Sequence, residues 1–209
     1  MHKFKFDREQ IQMVVALVTV AVVAVLFLGL TDMVTREPIA AAQKEALNRA
    51  LMQVLPEHSN DPLADGFDME VNGSPERFFP ARDKSGHITC LAWETAAPDG
   101  YSGTIRILMG VFPNGAVNAI RITDHRETPG LGDGITKNQP WIDSFIGKRL
   151  DNAHWAVKKD GGSFDQFTGA TITPRAVVKA VKNGLEMFMA NKDKLLAMPT
   201  AKKSEGDKP

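Results

Sequence analysis

The chain has 209 residues, enough for one globular domain and a membrane anchor. Lys plus Arg and Asp plus Glu number 25 each, so the formal charge is zero and no overall basic field exists to hold nucleic acid. One cysteine, Cys90, excludes an internal disulfide, and the lack of clustered Cys and His argues against a zinc site or an iron–sulfur cluster.

Residues 1–10 are polar and lean basic, with Lys3, Lys5 and Arg8 against Asp7 and Glu9. Residues 11–30 carry no charge, and at ~1.5 Å per residue they span ~30 Å, the thickness of a hydrocarbon core. A backbone in lipid must pair its own polar groups, so this run is expected to be a helix lying in the lipid bilayer. The run is longer than the ~7–15-residue core of a signal peptide. Asp32, Arg36, Glu37 and Pro38 also separate it from the small residues Ala40, Ala41 and Ala42. A retained single-pass anchor is therefore expected. The basic bias of the first eight positions places the N-terminus in the cytoplasm and the rest outside it, in the periplasm of a bacterium whose inner membrane holds the anchor.

Residues 31–66 read as an outer helix and linker. Ile39, Ala42, Ala46, Leu47, Ala50, Leu51 and Val54 form a helical stripe within 35–55, which Pro56 ends. Residues 57–76 are rich in Asp, Pro, Asn and Gly and read as loop, with one short strand at 67–71. Strands follow at 78–82 and 87–93 around Asp83-Lys84-Ser85-Gly86, and at 103–112 and 116–124 around Pro113-Asn114-Gly115, a strong hairpin signal. A mainly antiparallel sheet with flanking helices gives an α+β domain over 67–197. Cys90, between Ile88 and Trp93, reads as a buried structural thiol.

His125-Arg126-Glu127-Thr128-Pro129-Gly130-Leu131-Gly132-Asp133-Gly134 forms a shaped loop leaving a strand end. Its glycine spacing does not fit a dinucleotide fingerprint, no helix is expected directly after it, and the Gly-Lys-Ser/Thr ending of a P-loop is missing. His125 reads as structural or exposed rather than as a base. Residues 139–146 read as a short helix with Trp141, Ile142 and Phe145 on one side. Trp141 fits the core better than a stacking position against a ligand. A short strand is expected at 154–157 and a polar turn at 158–162. A final helix runs from Pro174 to about Leu196, with Thr173 as its N-cap. Residues 198–209 are charged, have little to bury, and read as a disordered tail.

Between turn and helix lies Asp165-Gln166-Phe167-Thr168-Gly169-Ala170-Thr171-Ile172-Thr173-Pro174. Gly169 and Ala170 allow a close approach of backbone or ligand, and the helix start favours an anion such as a phosphate. The pattern Asp-x-x-Thr-Gly-Ala-Thr resembles the flavinylation motif of the FMN-binding domain family found in the RnfG and NqrC components of the Rnf and Nqr complexes. Glu-Thr-Pro-Gly-Leu-Gly at 127–132 resembles a second motif of that family, in the same order along the chain. Taken alone, the first is a loop with an N-cap and the second a glycine-rich hairpin exit.

The resemblance implies a covalent FMN, joined by a phosphoester to Thr171. Asp165, Thr168, Gly169, Ala170 and Thr171 would be the context recognised by a flavin transferase that uses FAD as donor. It also implies that Glu127, Thr128, Gly130, Leu131 and Gly132 form the loop around the isoalloxazine and that Thr168, Gly169, Ala170 and Thr173 also bind the cofactor. No catalytic constellation or metal site is evident, so the redox chemistry would be the flavin's. Size and the single span resemble the Rnf branch more than the Nqr branch. The expected role is an electron relay in an ion-translocating complex between ferredoxin and NAD, holding neither substrate's site and assembled with other membrane subunits. Four alternatives differ from it: a membrane-anchored flavin sensor outside any pump, an NqrC-like component of a sodium-pumping quinone reductase, an assembly protein that is never flavinylated, and a soluble enzyme with a cleaved leader.

Overall fold

The computed structural model describes residues 7–71 and 73–198. Most of the expected tail, 199–209, and the first six positions lie outside the described residues. The chain divides into two compact units, residues 1–46 and 47–209.

In the first unit, the anchor and the expected outer helix are one element, α1 (Arg8–Val54), which continues into the second unit. Pro38 lies within it, where the missing N–H removes one rung of the helical ladder. The hydroxyls of Thr19, Thr31 and Thr35 donate back to the carbonyls of Val15, Phe27 and Thr31. Over 11–30 the apolar side chains point outward unburied; Leu17 is 74% exposed. α1 is long and apolar enough to cross a membrane, and lipid is the solvent that tolerates such a surface. The expected stripe packs only in its lower part. Ile39, Ala42 and Ala46 are exposed, whereas Leu51 and Val54 are buried.

In the second unit the described residues form a five-stranded antiparallel meander: β1 (Phe67–Val71), β2 (Ser74–Arg82), β3 (Ile88–Gly100), β4 (Gly103–Val111) and β5 (Val117–Asp124), in that spatial order. Alternation along the strands sorts side chains onto two faces. Phe78, Leu91, Trp93, Ile105, Ile107 and Met109 form the larger core with Val177, Val181, Leu185 and Phe188 of the final helix, Ile172–Leu196. Phe79, Ala81, Cys90, Ala92, Leu108 and Ala119 meet Leu51, Val54 and Leu55. This double cover explains why Leu108, polar-facing by simple alternation, is buried. Burial also pushes the Cys90 thiol up to about 12, the behaviour of an inert structural cysteine.

The end of α1 approaches the sheet backbone directly. The Val54 carbonyl, orphaned at a helix end, accepts a hydrogen bond from Asn118 Nδ2 at 2.8 Å. A Cβ on Gly110 would collide with that same oxygen. On the opposite face, Trp93 and Phe188 stack at 5.7 Å, and Gly184 admits Met109 close to the final helix.

Beyond the sheet come α2 (Gly134–Lys137), α3 (Gln139–Asp143) and, last, α4 (Ile172–Leu196). A one-turn helix thus does follow the glycine loop, contrary to expectation; its N-cap residue Asp133 makes no side-chain capping bond and instead accepts from Gly130 N–H and from Lys137 Nζ. Trp141, Ile142 and Phe145 are buried together, as their spacing predicts. The expected strand at 154–157 does not form. The chain makes a single parallel bridge, Val157 to Phe164, and reverses through a 3-10 turn at Lys158–Asp160 because Gly162 N–H bonds back to the Val157 carbonyl.

Ion pairs fasten this side to α4. Arg175 makes a two-pronged contact with Asp160, at 2.7 and 3.0 Å, and Lys179 reaches Asp99 at 2.7 Å. The hydrogen bonds from Arg175 and Lys179 hold the Asp160 and Asp99 carboxyls below the usual carboxylate range. At the far end, the buried Arg82 guanidinium donates to the carbonyls of Gly86 and Met198, which ties the end of the described chain to β2.

Two outcomes follow from this packing. Gly110→Ala has no room to relax against a helix terminus and should lower the stability of the detergent-solubilised chain by about 1–3 kcal/mol in urea unfolding read by tryptophan fluorescence. For Asp160 and Asp99, a folded pKa below the unfolded one gives stability that is present above ~pH 4 and lost as pH falls through the folded value. Asp160→Asn should therefore lose less stability than the parent between about pH 7 and about pH 3 in the same assay.

Candidate functional site

The stretch at 165–171 is shaped by its neighbours. The Ala170 N–H donates to the Phe167 carbonyl at 3.1 Å, closing a tight turn. Gly169 sits in it at φ +78°, the left-handed position that a type II turn reserves for glycine. Trp141 Nε1 donates to the Asp165 carbonyl at 2.8 Å. Phe167 packs edge-on against Trp141 at 5.2 Å and lies over Gly134, where a Cβ would come within 2.9 Å of its ring. Trp141 is therefore both core and clamp, holding the turn from beneath.

α4 begins at Ile172, with Thr171 as its N-cap, two positions earlier than the sequence predicts. The Thr171 side chain makes no capping hydrogen bond, so its hydroxyl and the helix start remain uncapped from within. Thr173 does not cap because its hydroxyl donates instead to Glu127 Oε2, at 2.5 Å. The first turn of α4 is thus bonded sideways, to the glycine loop, and the positive end of its dipole is left facing outward.

Glu127 is 4% exposed and accepts a second hydrogen bond, from Ser102 N–H to Oε1 at 3.0 Å. Its own N–H donates to His125 Nδ1 at 3.1 Å, so His125 supports the loop. Gly132 lies flat against this carboxylate: a Cβ there would be 2.6 Å from Oε2 and 2.9 Å from Thr173 Oγ1.

These contacts bring the two motifs to one place. A cavity of about 220 Å³ is lined by Tyr101, Glu127, Thr128, Leu131, Gly132, Gly169, Ala170, Thr171, Ile172 and Thr173. Tyr101, Leu131 and Ile172 stand exposed at its rim, at 69%, 48% and 46%. Of the residues expected at the site, Glu127, Thr128, Leu131, Gly132, Gly169, Ala170, Thr171 and Thr173 meet here. Gly130, Thr168 and Asp165 are outside the lining: Gly130 bonds to Asp133, Thr168 is exposed on the turn, and Asp165 pairs with Lys158 at 2.7 Å on the surface. Tyr101, the sole tyrosine, and Ser102 are not among the residues the sequence singles out. Pro98-Asp99-Gly100 before them is the available turn signal. β3 runs on to Gly100 through a register shift after Ala97, and such an irregularity is where a strand tolerates Pro98.

The site has the features of a cradle for a flat, partly apolar group with an anionic end. Apolar side chains and glycines form its walls, and a helix N-terminus with a hydroxyl stands at one side. Among the described residues no group of His, Cys, Asp and Glu is arranged to hold a metal ion.

Residues 100–186, which contain every lining residue, match the FMN-binding domain family. The chain is 45% identical over 188 residues to the G subunit of the ion-translocating oxidoreductase complex of Pseudomonas aeruginosa, covering 85% of this chain and 87% of that one. It is 46% identical over 178 residues to the G subunit of the same complex in Photorhabdus laumondii, covering 79% and 85%. In structure it is similar to the crystal structure of Shewanella oneidensis NqrC, with a TM-score of 0.57, 19% identity, and coverage of 76% of this chain and 100% of that one, a likeness of fold. The chain belongs to the family of G subunits of ion-translocating oxidoreductase complexes, and its folded domain is an FMN-binding domain.

Proposed function

We propose that this chain carries one FMN, esterified through its phosphate to the Thr171 hydroxyl, and serves as an electron relay in an Rnf-type complex. The observation that supports this best is the single cavity joining the 127–132 loop to the 169–173 segment, with an uncapped Thr171 at the helix start. The linked phosphate is a diester with one negative charge. The N-terminus of α4 favours such a charge by ~0.3–1 kcal/mol when exposed and ~2 kcal/mol when partly buried.

The exposed side of the motif suits modification. Asp165, Thr168 and Gly169 are at the surface, open to a flavin transferase; the Thr171 hydroxyl would lose its proton and take the FMN phosphoryl group from FAD as the pyrophosphate bond breaks and AMP leaves. Glu127, Thr128, Leu131, Gly132, Gly169, Ala170 and Thr173, which line the cavity, would then hold the isoalloxazine, with Gly130 and Thr168 beside them in the chain. At about 220 Å³ the cavity is smaller than the ~300–1,000 Å³ that engulfs a cofactor, so part of the ring stays open to a partner beside Tyr101, Leu131 and Ile172.

The flavin supplies the redox chemistry by accepting electrons and passing them on. The chain keeps it from diffusing away and holds it beside the membrane subunits that donate and accept. The domain lies on the periplasmic side, with the N-terminus in the cytoplasm, as the basic residues of the first eight positions direct. Nicotinamide and ferredoxin are bound by other subunits.

When the chain is expressed with a flavin transferase, Thr171→Ala should eliminate the covalent flavin and Thr171→Ser should retain it, measured by intact mass and by flavin fluorescence in a denaturing gel. Because the Thr171 hydroxyl makes no capping bond, Thr171→Ala should unfold within ~0.5 kcal/mol of the parent without flavin. A Thr171→Ala chain that still carries one FMN would overturn the assignment.

A further inference from the structure

We infer that Glu127 is a positioning residue: its carboxylate ties the β3–β4 turn and the first turn of α4 to the glycine loop, and this tie sets the shape of the cavity. The inference rests on the reading of that cavity as the flavin site. It assigns Glu127 and Thr173 to holding the walls, whereas the family resemblance counts both among the residues that bind the flavin.

The geometry carries it. Both Glu127 oxygens are turned to protein donors, Oε1 to Ser102 N–H and Oε2 to the Thr173 hydroxyl, and the side chain is almost wholly removed from solvent. The donors are neutral; among the described residues no Lys or Arg makes an ion pair with Glu127. A buried carboxylate without a cation depends on its hydrogen bonds. Glycines stand at the contact points. A Cβ on Gly132 would collide with Oε2, and one on Gly100 would lie 3.0 Å from Oε1 and run into the Gly103 carbonyl. The three segments joined this way supply Tyr101, Leu131 and Thr171 to one cavity. Asp99–Lys179 ties the end of β3, next to that turn, to α4 further along the helix.

The chemistry of the donors separates the roles of shape and charge. In Glu127→Gln the amide oxygen still accepts from Ser102 N–H, and the amide N–H donates to Thr173, whose hydroxyl turns to accept. Glu127→Ala leaves the buried Thr173 hydroxyl without its acceptor and opens the Ser102 N–H, on an exposed turn, to water. Thr173→Val removes one arm of the tie and keeps the other.

The test uses the full-length chain in detergent and has two arms. In flavin-free Thr171→Ala protein, hydrogen exchange is followed at the amides of 100–103. Glu127→Ala should speed exchange at Ser102 ~10-fold or more, Glu127→Gln should restore protection to within ~3-fold, and Thr173→Val should leave Ser102 protected. Unchanged exchange in Glu127→Ala would overturn the tie. In flavin-loaded protein, iodide quenching of flavin fluorescence is measured at matched loading, checked by mass. Glu127→Ala and Thr173→Val should raise quenching ~2-fold or more, and Glu127→Gln should return it towards the parent. If Glu127→Gln is quenched as strongly as Glu127→Ala, the charge acts on the flavin directly and the positioning role is wrong. A parent chain without flavin at Thr171 would refute the covalent reading, while the exchange arm would still decide the tie.

Discussion

A carboxylate taken out of water must be met by hydrogen-bond donors, and Glu127 finds its two on segments distant in the chain. Ser102 lies 25 residues before it and Thr173 lies 46 residues after it. Much of the site follows from that constraint. Gly100 and Gly132 leave room for the carboxylate. Thr173, engaged sideways, cannot cap α4, so the helix starts at Ile172 with Thr171 at its open end. A helix N-terminus whose own side chains do not close it is a ready place for an anion. The sheet and α4 make this rigid, because Trp93, Met109 and Phe188 lock the helix to the strands well away from the cavity.

The strands were legible because their signals are local. Asn114-Gly115 marks the β4–β5 hairpin and Asp83-Lys84-Ser85-Gly86 the β2–β3 turn, and both stand where expected. The apolar run at 11–30 shows itself by length alone. Less was legible where distant contacts decide. Thr173-Pro174 looks like a cap and first residue by local rules; Glu127, 46 residues away, claims the hydroxyl. His154-Trp155-Ala156-Val157 has the makings of a strand, yet the chain reverses at Gly161-Gly162 before a second pair can form. Tyr101 does not stand out because β3 continues through Pro98, which by itself argues against a strand. At the site, the two motifs account for most of the lining residues, and their meeting in one cavity is a property of the fold.

The two units serve one role on the proposed reading. α1 places a small domain at the membrane, and its last turns form part of that domain's core through Leu51, Val54 and Leu55. The cavity is small and rimmed by the exposed Tyr101, Leu131 and Ile172, which suits a cofactor that must be held and also reached. On that reading a covalent bond at Thr171 would add to what burial alone retains in a cavity of this size, and would leave part of the flavin open to electron exchange with neighbouring subunits.

The measurement that tests this most directly is fragmentation of the tryptic peptide spanning 160–175, from chain expressed with a flavin transferase. That peptide holds Ser163, Thr168, Thr171 and Thr173, so it distinguishes every hydroxyl near the helix start. The account predicts one FMN on the Thr171 oxygen, with the other three unmodified. A flavin on Thr168 or Thr173, or a peptide with no flavin at all, would contradict it.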